Sequence, residues 1–141
     1  MAVLSSEAIQ AACVAVDGRG VLIECREGEG RTGLALQMID RGATLVADAQ
    51  TVCLRHEGVL LASPVAGAGG RIEVRGLGIV ETPHAERVPV ELLIVLLDAG
   101  PRFPEDKRTR SISGIDVPVL ALASSDPAAP IKAELWLKQR K

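Results

Sequence analysis

Apolar and polar positions alternate along much of this chain, and the pattern predicts a series of short strands. Two hairpins are expected where paired apolar runs flank tight-turn residues. Their strands are residues 11–16 and 21–24, joined by an Asp-Gly turn, and residues 51–55 and 59–62, joined by His56-Glu57-Gly58. Single strands are predicted at residues 44–47, 71–75, 88–98 and 115–122.

Two segments show helical spacing of apolar residues instead. The first predicts a helix over residues 31–40 with Gly42 as its C-terminal stop, and the second a closing helix over residues 128–138. Pro130 is compatible with the closing helix because it falls in the first turn. Residues 64–70 and 100–114, rich in glycine, proline or charge, predict surface loops. The order of elements indicates one α/β domain with a mixed sheet, spanning residues 1–141.

Composition argues against a nucleic-acid partner. Phe103 and Trp136 are the only aromatic residues, although 48% of the chain is hydrophobic. Base stacking requires aromatic platforms, and a net charge of −2 gives no general attraction to polyanions. Neither feature supports binding to DNA or RNA.

The cysteines and the apolar runs indicate a cytoplasmic protein without a membrane span. Cys13, Cys25 and Cys53 are odd in number and widely spaced, which favours reduced thiols over a disulfide framework. They form no metal-ligand pattern with His56 and His84. The longest apolar run, residues 88–97, is too short to cross a bilayer, and no secretion signal begins the sequence.

The segment from residue 25 to residue 32 is close to the phosphate-binding loop G-x-x-x-x-G-K-[ST]. Gly30 and Thr32 match the second glycine and the hydroxyl, whereas Cys25 replaces the first glycine and Arg31 the lysine. The loop joins a predicted strand to a predicted helix, as the motif requires. There, the amides of Gly28 and Gly30 would face an anion at the helix start.

A plainer interpretation of this loop stays open. It is equally compatible with a tight strand-to-helix turn in which Arg31 is solvated and Thr32 caps the helix. Glu27 and Glu29 would oppose a triphosphate in the same space, and the helix dipole disfavours a cation at this end.

One acidic residue outside the loop is a candidate for chemistry because of its position. Asp48 follows a buried strand at its carboxyl end, where α/β sheets place their ligands. The alternative is an aspartate that forms a turn. By position alone, Glu73 and Arg75 are outward-facing residues of an alternating strand or members of a surface ion pair.

Several segments carry a family resemblance: CVAVDGRGVLI at 13–23, LAL at 34–36, IDRG at 39–42, LVAD at 45–48 and IEVRGLGIV at 72–80. In this order they resemble the C-terminal catalytic domain of HPr kinase/phosphorylase, in its short proteobacterial form. The resemblance covers roughly residues 9–139. It implies a P-loop fold of the HPr kinase/PEP carboxykinase-like architecture.

The resemblance also implies an activity and its residues. Such enzymes phosphorylate and dephosphorylate a serine of the phosphocarrier protein HPr, use ATP or pyrophosphate with magnesium, and commonly form hexamers. Asp48 would then be the general base, with Thr32 and Glu73 on the metal. The phosphates would be bound by Gly28, Gly30, Arg31 and Thr32.

Four positions depart from the family pattern. Gln10 stands where the family has a histidine, Cys25 and Arg31 alter the loop, and Ala49 replaces a second aspartate. These changes predict an HPr kinase/phosphorylase-like protein with weakened or lost phosphoryl transfer, that is, a pseudoenzyme. The alternatives are a non-catalytic module that contacts HPr or active kinase subunits, and a sensor of small anions.

Overall fold

The structure is a computed structural model, and it describes residues 5–25, 30–99 and 108–140. These residues form eleven strands and two helices. In chain order they are β1 (Ser5–Ile9), β2 (Ala12–Val16), β3 (Arg19–Cys25), α1 (Gly30–Asp40), β4 (Thr44–Ala47), β5 (Thr51–His56), β6 (Val59–Pro64), β7 (Arg71–Val74), β8 (Gly78–Glu81), β9 (Val88–Leu97), β10 (Arg108–Ile112), β11 (Ile115–Ala123) and α2 (Ala129–Gln139).

Nine of these strands form one mixed sheet. Its main path is β1-β5-β6-β9-β3-β2-β4, and β11 with β10 joins it at β9. The long strand β9 makes this branching possible: its first residues pair with β6, and residues 93–97 pair with β11. The predicted mixed-sheet α/β domain is therefore confirmed.

Strand direction brings several strand ends to the same edge. β3 and β11 both run parallel to β9. β4 is antiparallel to β2, which is antiparallel to β3, so β4 also points the same way. The carboxyl ends of β3, β4, β9 and β11 thus share one edge, the usual ligand edge of an α/β sheet.

The two faces of the sheet bury separate apolar clusters, because neighbouring strand residues point to opposite sides. Ile23 and Ile94 face both helices, where Leu34 and Met38 of α1 and Leu137 of α2 cover them. On the other face, a second cluster contains Leu22, Cys53, Leu60 and Leu93. Full burial of each large apolar side chain stabilises the fold by about 1.5–3 kcal/mol.

The predicted turns and the helix stop are present. The β2–β3 turn has positive φ at Asp17 (51°) and Gly18 (77°), as a type I′ turn requires. α1 ends at Asp40, and Gly42, two residues further on, has a φ of 111°. The amide of Gly42 bonds to the carbonyl of Ile39 at 2.9 Å, and the next amide bonds to Met38 at 3.0 Å. This is the Schellman arrangement that glycine favours.

Two edge strands differ from the sequence prediction. β1 was not predicted, and it pairs with β5. The predicted loop over residues 100–114 was wrong for residues 108–112, which form β10 and pair with β11; residues 100–107 lie outside the described residues. Both strands are polar because each has one sheet neighbour and little buried surface. Ile112 is the only buried residue of β10.

Neither described helix is a membrane span. α1 and α2 have 11 residues each, which is shorter than a bilayer crossing.

Arg19, the first residue of β3, fixes the end of α2. Its guanidinium donates to the Leu137 and Arg140 carbonyls, each at 2.8 Å, and to Glu91 Oε1 at 2.9 Å. The last carbonyls of a helix have no partner within the helix. The planar fork of arginine therefore donates to the Leu137 carbonyl, which also accepts from the Arg140 amide at 3.1 Å, and to the Arg140 carbonyl just beyond α2, while pairing with a carboxylate.

We predict that Arg19→Lys lowers the free energy of unfolding by about 1–3 kcal/mol, because an ammonium cannot make all three contacts at once. Urea unfolding monitored by Trp136 fluorescence measures the change. Arg41→Lys is the matched control, since Arg41 bonds to Glu134 between the helices at an exposed site. A loss at Arg19 no larger than that at Arg41 would contradict the assignment.

Candidate functional site

Three predicted site residues meet at the ligand edge of the sheet. Thr32 lies in the first turn of α1, Asp48 directly follows β4, and Glu73 lies in β7. The Thr32 hydroxyl donates to Asp48 Oδ1 at 3.2 Å, and the main-chain N–H of Glu73 donates to Asp48 Oδ2 at 2.8 Å. The carboxylate of Asp48 is therefore held through both of its oxygens.

The Thr32–Asp48 pair has the chemistry of a shared cation site. A hydroxyl that donates its proton to a carboxylate keeps its lone pairs for a cation. Hydroxyl and carboxylate oxygens are ligands that magnesium accepts, and a bound phosphate ordinarily completes its shell. Among the described residues, no group of three or more His, Cys, Asp or Glu could hold a metal. These residues therefore fit a cation that arrives with a phosphate, rather than a cage made by protein alone.

The turn after Asp48 is a strained one. Ala49 has a φ of 68°, and the Gln50 amide bonds back to the Asp48 carbonyl at 2.8 Å. A three-residue turn with positive φ is rare for a residue with a side chain. Ala49 occupies the position where the family resemblance expects a second aspartate. Aspartate tolerates this backbone conformation better than alanine does.

Glu73 reaches the site through its backbone. Its neighbour Ile72 is 2% exposed, whereas the Glu73 side chain is exposed on the opposite face of β7. The contact with Asp48 uses the amide of Glu73 and not its carboxylate. A metal-binding role for the side chain stays a prediction.

Gly30 begins α1 and provides space at the loop. A Cβ at this position would lie 3.3 Å from Leu96 Cδ1, 3.4 Å from Ser124 Cβ and 3.5 Å from Cys25 Sγ. Gly30 is not among the glycines with positive φ. Glycine at this position therefore allows the start of α1 to pack closely against the ends of β3, β9 and β11.

The remaining loop residues differ in what the structure describes. Gly28 lies outside the described residues. Arg31 is half-buried in the first turn of α1, which contains no acidic residue. The side-chain charge and the partial positive charge of the helix N-terminus therefore add, and both favour an anion at this end.

Other residues beside the loop were missed by the sequence analysis. Ser124 follows β11 next to Gly30, and its amide bonds to the Leu97 carbonyl at 2.7 Å. Arg110 of β10 pairs with Glu24, which precedes Cys25 in β3. Arg110 was missed because the polar sequence of β10 was interpreted as a loop.

The three cysteines are in different environments. Burial, and secondarily the neighbouring Cys53, raises the pKa of Cys13 far above that of a free thiol. Burial, followed by the charge of Glu7, raises the pKa of Cys53 to about 12. Both thiols stay protonated at neutral pH. Cys25, beside Gly30, is the cysteine that is not fully buried.

Comparison with known proteins identifies the family of this chain. The family model "HPr Serine kinase C-terminal domain" matches residues 2–87. The chain belongs to this family. The Hpr(Ser) kinase/phosphatase structure from Coxiella burnetii superposes with a TM-score of 0.81 at 27% identity, covering 94% of this chain and 95% of that one.

The curated relatives are longer than this chain. HPr kinase/phosphorylase from Chloroherpeton thalassium is 33% identical over 122 residues, and the match covers 77% of this chain and 36% of that protein. The enzyme from Clostridium tetani is 43% identical over 70 residues, 50% of this chain and 23% of that protein. The chain thus spans well under half the length of the curated relatives it matches.

We predict that Ala49→Gly raises the free energy of unfolding by about 0.5–1 kcal/mol, because glycine adopts positive φ without a steric penalty. Ala68→Gly is the control: Ala68 is also exposed, but its φ is not positive. At that position glycine should destabilise through the unfolded state. Chemical denaturation of both variants measures the difference, and equal losses would contradict the strained turn.

Proposed function

We propose that this chain is an HPr kinase/phosphorylase-like domain that retains a phosphate and cation site but transfers phosphoryl groups weakly or not at all. The observation that carries the proposal is the hydrogen-bonded set of Thr32, Asp48 and Glu73 beside the N-terminus of α1. Family membership supports the substrate class, namely a serine of an HPr-type phosphocarrier with ATP or pyrophosphate as the phosphoryl source.

The phosphates would lie over the start of α1. The amides of Gly28 and Gly30 would donate to phosphate oxygens, and Arg31 would add a positive charge. Thr32 and the side chain of Glu73 would hold a magnesium ion, which would neutralise charge on the phosphates when bound. Gly30 and Thr32 match the loop motif, Glu73 lies in the segment that resembles the family signature, and Arg31 keeps a positive charge where the motif has a lysine.

Asp48 would act on the acceptor. Its carboxylate would take the proton of the HPr serine hydroxyl as the serine oxygen forms a bond to the γ-phosphorus of ATP. The bond between that phosphorus and the β,γ-bridging oxygen would break, and ADP would leave. The hydrogen bonds from Thr32 and Glu73 orient the carboxylate for this role.

The departures from the family motif support a weakened reaction. Cys25 lacks the conformational freedom of the first glycine. Arg31 is a long planar fork, whereas the loop of the motif closes around the compact charge of a lysine. Ala49 removes a second carboxylate, and Gln10 removes a histidine. Each change acts on charge or proton placement, which is the main source of catalysis in phosphoryl transfer.

We predict that ATP or pyrophosphate with magnesium raises the melting temperature of the protein, because a ligand of the folded state stabilises it by mass action. The same ligands should slow alkylation of Cys25, the least buried thiol and a neighbour of Gly30. Thr32→Val should remove the magnesium-dependent part of both effects. Melting curves and mass spectrometry of the alkylated protein give the two measurements.

A repaired variant sharpens the same test. Cys25→Gly with Arg31→Lys and Ala49→Asp restores the motif, and it should respond more strongly than the wild type and phosphorylate HPr faster. If neither protein responds to ATP, pyrophosphate or phosphate at millimolar concentration, the nucleotide site is refuted. A response to phosphate alone that is equal with and without magnesium would favour the small-anion sensor.

A second candidate function is a non-catalytic module that contacts HPr or active kinase subunits. Its supporting observation is the β7–β8 hairpin, on which Leu77 is 79% and Ile79 67% exposed. Exposed apolar patches mark interaction surfaces. The same surface would also serve for contacts between copies of this chain, as in the hexamers that the family resemblance implies.

For this candidate we expect Leu77→Ser with Ile79→Thr to weaken binding to HPr or to a kinase homologue at least about tenfold, since buried apolar contacts carry most of an interface's affinity. Val59→Thr is the control, because Val59 is also exposed (42%) but belongs to a different hairpin. Calorimetry measures the affinities. No binding to either partner would count against the module.

A further inference from the structure

The two groups that hold Asp48 differ in kind. The Thr32 hydroxyl both donates and accepts, whereas the Glu73 amide only donates and its place is fixed by the backbone. We propose that the main-chain N–H of Glu73 is a positioning group for Asp48, separable from the side chain of Glu73. This inference rests on the proposed function, because it concerns how the carboxylate is aimed at a serine hydroxyl.

The register of the β7–β8 hairpin makes this amide available. The amide of Thr82 bonds to the Gly70 carbonyl at 2.8 Å, so these two residues form a hydrogen-bonded pair. Hydrogen-bonded and non-bonded pairs alternate in an antiparallel ladder, and the pair of Glu73 and Ile79 lies three pairs further along the hairpin. Glu73 and Ile79 therefore form a non-bonded pair, and the amide of Glu73 points away from β8, where it meets Asp48.

The hairpin is anchored firmly enough to position a side chain. β7 and β8 form their own two-stranded sheet, and β7 packs against α1. Ile72, adjacent to Glu73, is 2% exposed. Because α1 also carries Thr32, the two donors to Asp48 are fixed relative to one another.

The two carboxylate oxygens of Asp48 have different roles. Oδ2 accepts from the main-chain N–H of Glu73, which cannot bind a cation, so this contact fixes the orientation of the carboxylate. Oδ1 faces the Thr32 hydroxyl and stays available to a cation or to the proton of a substrate hydroxyl. A hydrogen bond to a charged acceptor is stronger than one between neutral groups. A single amide is therefore sufficient to orient the Asp48 carboxylate.

Three substitutions separate the amide from the side chain. Glu73→Ala removes the carboxylate and keeps the N–H; Glu73→Pro removes both. Proline is tolerated at a strand edge whose N–H does not join the ladder. Ile79→Pro is the matched control, because Ile79 is the non-bonded partner of Glu73 on the outer strand.

The expected result is a phosphoryl-transfer rate to HPr at least about tenfold lower in Glu73→Pro than in Glu73→Ala, with the KM for ATP unchanged between them. The carboxyl ¹³C resonance of Asp48 should shift in Glu73→Pro, and it should stay in place in Glu73→Ala and Ile79→Pro. Equal rates in the two Glu73 variants, or an unmoved Asp48 resonance in Glu73→Pro, would overturn the inference.

Amide exchange provides a test that does not require activity. In Asp48→Ala, the Glu73 amide should exchange about tenfold faster, whereas those of Ile72 and Val74, which bond within the hairpin, should not change. If the wild type and both Glu73 variants show no detectable transfer, the exchange rates and the Asp48 resonance alone decide the inference, whereas ligand-induced stabilisation decides the proposed phosphate and cation site. Unchanged exchange at Glu73 would refute the hydrogen bond on which it stands.

Discussion

The parallel pairing of β3 with β9 is the constraint on which the rest of the structure depends. β9 is buried along its second half and has β3 on one side and β11 on the other. The register of these central strands decides where the loop after β3 emerges and where α1 begins. Because β4 points in the same direction, Asp48 arrives at the same edge as the loop. The directions of these strands therefore determine where the residues of the candidate site lie.

Much of this architecture could be predicted from local patterns. The Asp17-Gly18 turn, the stop at Gly42 and the buried run of β9 all have strong local signals, and all were placed within a residue or two. β1 and β10 escaped because an edge strand has few buried positions, so its sequence is as polar as that of a loop. Their pairing is decided by the neighbouring strand, which no local pattern records.

The site was predictable in its residues but not in its contacts. Motif spacing pointed to Thr32, a strand end to Asp48 and the family resemblance to Glu73, and the fold brings all three together. That Glu73 arrives through its amide depends on the register of the β7–β8 hairpin, of which only the first strand was predicted. Ser124 and Arg110 were missed because a parallel strand and a polar edge strand place them beside the loop.

The strained turn at Ala49 bears on how this domain could change over evolution. A left-handed backbone there penalises alanine, yet it readily accepts aspartate, asparagine or glycine. The second carboxylate that the family resemblance expects could therefore be introduced by substitution of a single residue, without a change of the main chain. At this position the main chain has a conformation that an acidic side chain tolerates.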